Sequence, residues 1–398
     1  MGYRAARGDD TPAGPRAAIW QQVEKAIDEG KPKTAGEVLA GVEQAAVKDK
    51  AWAEAARAIA TRVLTATGDR PPDDPERLVQ LAAAIEKAPP ETQAVLQAIQ
   101  ANWTWGFFQQ NRWRFAQRTT GATTASDLTT IASWDLPTIV GEIRRRFAAA
   151  LAEPATLQKL PVAEWTALIA PGSMPDAYRP TVWDVIVREA LEFATSGERG
   201  VVEPEDVFEL AADSPALGTP EQFLAWKPEE DPAVTDRGSP LIETARLYRD
   251  LLAFHSSAAD RTAFFAADLD RILWASGAAV GDDLAQKKET ALEAFIERAG
   301  NHETATLARF HLAGLAREAG ELGEAHDLAK QGVKAHPGTP AGALCKNLIM
   351  EIEAKSLVVE TERMWAAPWP VIRITARNLD TAHVRIVKAD WMARVTAG

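Results

Sequence analysis

The stretch Ala305-Thr-Leu-Ala-Arg-Phe-His-Leu-Ala-Gly-Leu-Ala-Arg-Glu-Ala-Gly320-Glu-Leu-Gly-Glu-Ala-His-Asp-Leu-Ala-Lys-Gln-Gly-Val-Lys-Ala-His-Pro337 decides the fold class of this chain. Leu312 and Ala313 belong to a first run of residues with helical apolar spacing, which ends at Gly320. Ala325 belongs to a second such run, which ends before Pro337. Two helical runs separated by a glycine and followed by a proline predict an antiparallel helix pair.

This helix pair resembles part of the tetratricopeptide repeat, a helix–turn–helix unit of about 34 residues. The repeat is degenerate, because positions that usually carry large aromatic side chains hold Arg309, Ala316 and Ala329. The turn from Glu29-Gly30 to Ala35 resembles the same unit more weakly. Each helix pair has an apolar face that only a neighbouring pair can cover, so we predict a mainly α chain that forms an α-solenoid of tetratricopeptide-like helix pairs.

Apolar residues at helical spacing extend this array through most of the chain. They predict helices near 16–28, 35–48, 51–67, 75–87, 91–109, 135–151, 282–299 and 340–354, and further helices that begin at Thr181 and Pro240. Thr181 and Asp184 have the spacing of a capping box, in which a hydroxyl and a carboxylate satisfy the first backbone N–H groups of a helix. Residues 196–239 are acidic and rich in proline, and we predict a connection or hinge there.

From Lys355 onward the apolar spacing changes to the period of β-strands. Strands are predicted at 357–362, 371–377 and 384–388. Two or three strands with unpaired edges are marginal as an independent domain. We therefore expect a short, incomplete antiparallel β segment, which is the start of a β-domain that the chain truncates.

Together these patterns predict five consecutive regions. They are a disordered leader at 1–15, an N-terminal helical array at 16–195, the acidic connection at 196–239, a second helical array at 240–354 with the tetratricopeptide-like pair at 305–337, and the truncated β segment at 355–398.

Composition excludes several classes of function. The 398 residues include 44 Lys and Arg against 56 Asp and Glu, and the formal net charge of −12 argues against nucleic acid as a partner. The single Cys345 excludes an intramolecular disulfide and a Cys-rich metal site. The longest uncharged stretch, at 92–111, contains seven Asn and Gln residues, so we predict no transmembrane segment. The N-terminus has no apolar run of signal-peptide length.

The residues with chemical potential do not form a catalytic pattern. The histidines, none of which has the spacing of a helical zinc site, are His255, His302, His311, His326, His336 and His383. Cys345 lies on a predicted helix, where a buried small apolar residue is favoured over a reactive thiol. The carboxylate clusters at 73–74, 203–206 and 229–231 lie in proline-rich turns and are interpreted as solvated loops. We therefore predict that the chain is not an enzyme and has no catalytic, cofactor-binding or metal-ligating residues.

A segment at 103–115 concentrates aromatic residues beside arginines. Such a mixture can stack single-stranded nucleic acid, but it also packs helices together. Trp103, Phe107 and Trp113 lie near helical spacings with Leu96 and Ile99, so core packing is the favoured interpretation. The run Arg144–Arg146 is interpreted as a solvated helix face.

Six groups of segments, taken in order, resemble the N-terminal part of large bacterial alpha-2-macroglobulin-like proteins. The resemblance covers about residues 17–390. The segments are Trp20-x-x-Val23 with Gly30-Lys-Pro-Lys-Thr-Ala35, Phe107-Phe-Gln-Gln-Asn-Arg112 with Gln117-Arg-Thr119, Trp134-Asp-Leu-Pro-Thr-Ile139, Tyr178-Arg-Pro-Thr181 with Ala190-Leu-Glu-Phe193, Tyr248-Arg-Asp-Leu-Leu-Ala-Phe-His255, and Lys346-Asn-Leu with Ser356-Leu and Arg377-Asn-Leu.

The resemblance implies a periplasmic or cell-envelope protein in which a helical N-terminal region precedes a series of macroglobulin β-sandwich domains. Such proteins trap proteases through a cleavable bait segment, and many then acylate the protease through a Cys-x-Glu-Gln thioester. Cys345 is followed by Lys-Asn-Leu, so that motif is absent from this chain and no inhibitory residue can be carried over. The chain also departs from the family in having no signal or lipobox Cys at its N-terminus.

Two functions follow as expectations. The first is a non-catalytic helical scaffold of an endopeptidase inhibitor, which meets target proteases through downstream domains and has other envelope proteins as further partners. The alternative is a freestanding tetratricopeptide-like adaptor that binds peptides in a concave groove. The sequence that follows Gly398 in the reading frame would discriminate between them.

Overall fold

A computed structural model describes residues 15–385 except 69, 72–73, 117–126, 173, 198–206 and 362–370. The predicted leader therefore lies almost entirely outside the described residues. Within them the protein is mainly helical, with a small two-stranded antiparallel sheet. The helices are α1 (Ala17–Asp28), α2 (Pro32–Lys48), α3 (Trp52–Ala66), α4 (Glu76–Lys87), α5 (Pro90–Gln110), α6 (Arg112–Ala116), α7 (Leu136–Ala150), α8 (Pro154–Leu157), α9 (Val182–Thr195), α10 (Pro220–Ala225), α11 (Pro240–His255), α12 (Thr262–Ala278), α13 (Leu284–Ala299), α14 (Glu303–Glu318), α15 (Leu322–Ala335) and α16 (Pro340–Glu353).

The chain divides into two compact units, Met1–Ala291 and Leu292–Gly398, with the boundary inside α13. In the first unit α1 packs on α2 and α2 on α3, around a buried cluster that includes Trp20, Val23 and Leu39. The central helix α5 contacts α3, α4 and α7, while α9 and α12 both pack on α11. Most of these contacts join helices close in sequence, as expected for helix pairs whose apolar stripes face each other.

The start of α9 confirms the capping box predicted from Thr181 and Asp184. The Asp184 backbone N–H donates to Thr181 Oγ1 at 3.3 Å, and the Thr181 backbone N–H donates to Asp184 Oδ2 at 2.9 Å. A cap of this kind depends only on residues three apart, which explains why the sequence alone reveals it.

The described part of the predicted connection, residues 207–239, packs against the helices that follow it. The Arg271 guanidinium on α12 donates to the Ala216 carbonyl at 2.6 Å and to the Gly218 carbonyl at 3.1 Å. Phe223 on α10 is fully buried, with the Arg271 guanidinium carbon 4.9 Å from its ring centroid. A hinge in this segment would have to break these contacts, and the hinge itself stays a prediction.

The second unit contains the helix pair predicted from the opening stretch of sequence. Helices α14 and α15 pack on each other and both contact α16. Their shared core contains small side chains, including Ala313, Ala325, Ala329 and Cys345, which let the helices approach closely. Gly320, at the turn between α14 and α15, has a φ of +88°, a conformation that favours glycine.

The sheet consists of β1 (Ser356–Thr361) and β2 (Ile372–Arg377). They pair antiparallel in a register that places Val359 opposite Ile374. Both strands were predicted from the sequence. Of the third predicted strand, the described residues Val384 and Arg385 are not in a strand, and 386–388 lie outside the described residues.

Candidate functional site

The hairpin of β1 and β2 carries an apolar surface, which we call the hairpin face. The register pairs Leu357 with Ala376, Val359 with Ile374, and Thr361 with Ile372, so these six side chains share one side of the sheet. Leu357 is 46% exposed, Val359 55% and Ile374 37%. Paired apolar side chains of this kind normally face a core, and here they face solvent.

The opposite side of the hairpin is more polar. Glu360 lies opposite Arg373, with 3.9 Å between the carboxylate and guanidinium groups, and Val358 lies opposite Thr375. Val358 is 52% exposed, close to the value for Val359 on the other side. The hairpin is therefore amphipathic, although neither side is covered by the described residues.

The hairpin is attached to the C-terminal end of α16. Asn378, which follows β2, donates from Nδ2 to the carbonyls of Ile352 at 2.6 Å and Ala354 at 3.2 Å. Arg377 donates to the Glu351 carbonyl at 2.9 Å. These bonds satisfy carbonyl groups that the end of a helix leaves unpaired, and they hold the hairpin at a defined position beside α16.

A second candidate site is a cavity of about 420 Å³ in the first unit, which we call the α4–α5 cavity. It is lined by the end of α3, the following turn, and the facing sides of α4 and α5. The described lining residues are Thr67, Gly68, Arg70, Pro71, Asp74, Arg77, Leu78, Asn102, Trp103, Gly106, Phe107 and Gln110.

The polar side chains that line the α4–α5 cavity have different kinds of partner. Arg70 donates to Asp74 at 2.9 Å, and this contact lowers the pKa of the Asp74 carboxyl below its ordinary value. The Arg77 guanidinium carbon lies 5.9 Å from the Trp103 ring centroid. Asn102 donates from Nδ2 to Glu189 Oε2 at 2.9 Å, so the orientation of its amide is fixed by a buried carboxylate.

The aromatic segment at 103–115 is partly core and partly surface. Phe107, Phe108 and Phe115 are buried, and the Phe115 ring contacts both of the others, as core packing predicts. Trp113 is 61% exposed, so the prediction that it packs in the core was wrong. Helix α5 ends at Gln110 and α6 begins at Arg112, and this break ends the helical spacing that would have buried Trp113.

His255, His302 and His326 have structural partners. His255 Nε2 lies 2.6 Å from Asp184 Oδ1, and both side chains are buried. His302 caps α14 by accepting from the Thr304 backbone N–H at 3.2 Å, and His326 lies 2.8 Å from Glu353. Across the part of the chain that the structure describes, no three His, Cys, Asp or Glu residues are grouped to hold a metal ion.

Cys345 is completely buried, as its position on a helix predicted. Burial raises the pKa of its thiol to about 11. Its Sγ approaches Gly332 so closely that a Cβ built on that glycine would lie 2.6 Å from the sulfur. A buried thiol with a raised pKa is a packing element rather than a nucleophile.

The carboxylate clusters noted in the sequence form separate ion pairs where they are described. Glu229 pairs with Arg249, and Glu230 pairs with Lys227 at 2.8 Å. Asp74 pairs with Arg70, whereas 73 and 203–206 lie outside the described residues.

Sequence reasoning missed the buried ion pair of Arg271 and Asp268, whose side chains are both 0% exposed. The partners are three residues apart on α12, a spacing that usually marks a solvated helix face. Only the carbonyls of Ala216 and Gly218, more than fifty residues earlier in the chain, explain why this arginine is buried.

The chain matches no family model, no curated protein and no solved structure. Among the helices that the structure describes, none combines the length and the apolar character needed to cross a bilayer. The resemblance to alpha-2-macroglobulin-like proteins therefore stays a prediction.

Proposed function

We propose that this chain is a non-catalytic helical scaffold, the N-terminal region of a macroglobulin-like endopeptidase inhibitor, and that its hairpin begins the first β-sandwich domain. The observation that supports the proposal is the exposed hairpin face beside a helical array. In this proposal α14–α16 belong to a tetratricopeptide-like solenoid, and the envelope localisation follows from the resemblance.

In this proposal a second β-sheet packs on the hairpin face and covers it. Leu357, Val359, Ile372 and Ile374 lie on the same side of the hairpin, which is the pattern of a sheet whose one side packs against another sheet. Two strands leave two edges, and further strands of a sandwich would pair with these edges as well as cover the face. The bonds from Arg377 and Asn378 to the end of α16 would then fix that domain relative to the last helix of the scaffold.

The proposal assigns no inhibitory chemistry to the described residues. We expect that the purified chain, in stoichiometric excess, leaves the activity of a broad-specificity protease such as subtilisin unchanged on both a protein and a peptide substrate. Stoichiometric inhibition by the chain itself would contradict the scaffold role.

The sheet that covers the hairpin face can be sought directly. We expect the reading frame to continue after the Gly398 codon into β-rich sequence, and that segment, produced separately, to bind the purified chain. Val359→Lys should weaken this binding at least tenfold, since one charge would be buried against an apolar sheet. Val358→Lys, on the opposite side of the same strand and equally exposed, is the matched control and should change binding less than threefold.

Equal effects of the two lysine substitutions would refute the assignment of the hairpin face as the docking surface. A stop codon directly after Gly398 would refute the macroglobulin-like role and favour the peptide-binding adaptor instead.

A further inference from the structure

We propose that Asn378 locks the hairpin to the last turn of α16, so that the hairpin and α14–α16 move as one rigid body. The inference concerns this joint alone and does not depend on the scaffold role or on what covers the hairpin face. It rests on two connections between α16 and the hairpin, which meet at the same end of the helix.

The first connection is the chain itself. Helix α16 ends at Glu353 and β1 begins at Ser356, so only Ala354 and Lys355 join them. A linker this short limits the reach of the hairpin, but the φ and ψ angles of its residues still allow the hairpin to swing. A second attachment point is what stops such a motion.

The second connection returns from the end of β2. Asn378 donates from Nδ2 to the carbonyls of Ile352 at 2.6 Å and Ala354 at 3.2 Å, and the neighbouring Arg377 donates to the Glu351 carbonyl at 2.9 Å. Helix α16 leaves these carbonyls open, because the chain becomes extended at Ala354 (φ −60°, ψ 132°) instead of turning back with its own N–H groups. The end of β2 therefore caps the helix.

Two requirements at this position select asparagine. Asn378 has a φ of +57°, in the left-handed region that asparagine tolerates better than most residues. Its amide also carries two N–H donors, the number needed to bridge two carbonyls. Glycine would accept the backbone conformation but has no donor. Aspartate would place a carboxylate against the carbonyls at the negative end of the helix dipole. Glycine and aspartate are therefore the informative substitutions.

The turn that Asn378 contacts is itself held by the neighbouring helices. Arg317 on α14 pairs with Glu351 at 3.0 Å, and His326 on α15 lies 2.8 Å from Glu353. The last turn of α16 therefore has a defined position relative to α14 and α15, and Asn378 fixes β2 relative to that turn. A partner that packs on the hairpin face is then held at one angle to the three helices.

The test measures the distance distribution between two nitroxide spin labels on the full chain by double electron–electron resonance. Cys345→Ala provides a background without cysteine. Cysteines that carry the labels then replace the exposed residues Lys330 on α15 and Thr375 on β2. We expect a single narrow distribution in this background, because the hairpin is attached at two points.

Asn378→Gly and Asn378→Asp should each widen this distribution about twofold or more, because only the short linker and the bond from Arg377 then hold the hairpin. Arg377→Gln removes one bond and leaves both amide bonds, so it should widen the distribution less. Arg373→Gln, on the same strand, is the matched control and should leave the width unchanged, because Arg373 lies against Glu360 within the hairpin, at 3.9 Å, rather than against α16.

Hydrogen exchange of the β1 and β2 amides reports separately whether the hairpin is still paired. We expect Asn378→Gly to leave this protection unchanged, because the register of the two strands ends at Arg377. Equal widths of the distance distribution in the background chain and in Asn378→Gly would overturn the lock. Loss of protection in both strands of Asn378→Gly would also overturn it, because Asn378 would then fold the hairpin rather than position it.

Discussion

Replacing Arg271 by methionine should destabilise the first unit more than any surface substitution. The Arg271 guanidinium contacts the Asp268 carboxylate, the Ala216 carbonyl and the Gly218 carbonyl, and both charged side chains are fully buried. Methionine retains most of the volume of the side chain but none of its donors. The Asp268 carboxylate is then left in the core without its cation.

The expected loss follows from this geometry. Removing one partner of a buried ion pair costs about 3–5 kcal/mol of unfolding free energy, and the two carbonyls that lose their donor add to the cost. The double variant Asp268→Leu/Arg271→Met also removes the buried charge, so it should be about 1–3 kcal/mol more stable than Arg271→Met alone.

Urea titration followed by tryptophan fluorescence provides the measurement. Ten of the thirteen tryptophans precede residue 291, so the signal reports mainly on the first unit. Arg62→Met, which breaks a partly exposed pair with Glu43 at 3.0 Å, is the control and should change the unfolding free energy by less than about 1 kcal/mol. An effect of Arg271→Met no larger than that of the control would refute the reasoning that this pair attaches residues 210–226 to α12.

Three further predictions concern packing, thiol chemistry and capping. Gly332→Ala should destabilise the second unit by about 1–3 kcal/mol, because the new Cβ meets Cys345 Sγ. Gly323→Ala is the control on the same helix; its Cβ meets nothing, and it should stabilise the unit by about 0.5–1 kcal/mol. Circular dichroism in urea measures both, and equal effects would contradict the close contact. With a pKa of about 11 in the folded chain, against 9.0 as the ordinary value, the Cys345 thiol stays protonated while the unfolded thiol ionises. The unfolding free energy should therefore fall as pH rises from 9 to 11, and the fall should be smaller in Cys345→Ala. Labelling of Cys345 by a disulfide reagent at pH 8 should be slow until urea unfolds the chain, and fast native labelling would contradict its burial. Thr181→Ala removes a hydrogen bond at the start of α9 and should cost about 1–2 kcal/mol, whereas a change below 0.3 kcal/mol by the same titration would show that the cap contributes little.

The features that the sequence reveals are those set by neighbouring residues. The capping box of Thr181 and Asp184, the helix pair around Gly320 and the alternation of β2 all depend on residues a few positions apart. Trp113 was placed in the core because its spacing continues that of α5, but the helix ends before it. The third strand was predicted to begin at Val384, but the described residues Val384 and Arg385 are not in a strand, since an apolar pattern alone does not supply a pairing partner.

The features that the sequence does not reveal depend on distant contacts. Arg271 is buried because carbonyls near residue 216 reach it, and no local pattern contains that information. The α4–α5 cavity brings Arg77 on one helix next to Trp103 on another. Aromatic residues and arginines are concentrated at 103–115, but Arg77, whose guanidinium lies 5.9 Å from the Trp103 ring centroid, is outside that segment.

The central claim is that the helices form a scaffold that does not depend on the hairpin for its stability. Deleting residues 355–398 removes the bonds from Arg377 and Asn378 to the end of α16, but leaves the buried cluster of α14–α16 in place. We predict that the deletion lowers the unfolding free energy measured by helical circular dichroism in urea by no more than about 1 kcal/mol, the cost of a frayed final turn. A cooperative loss of the helical signal in the deleted chain would contradict the claim.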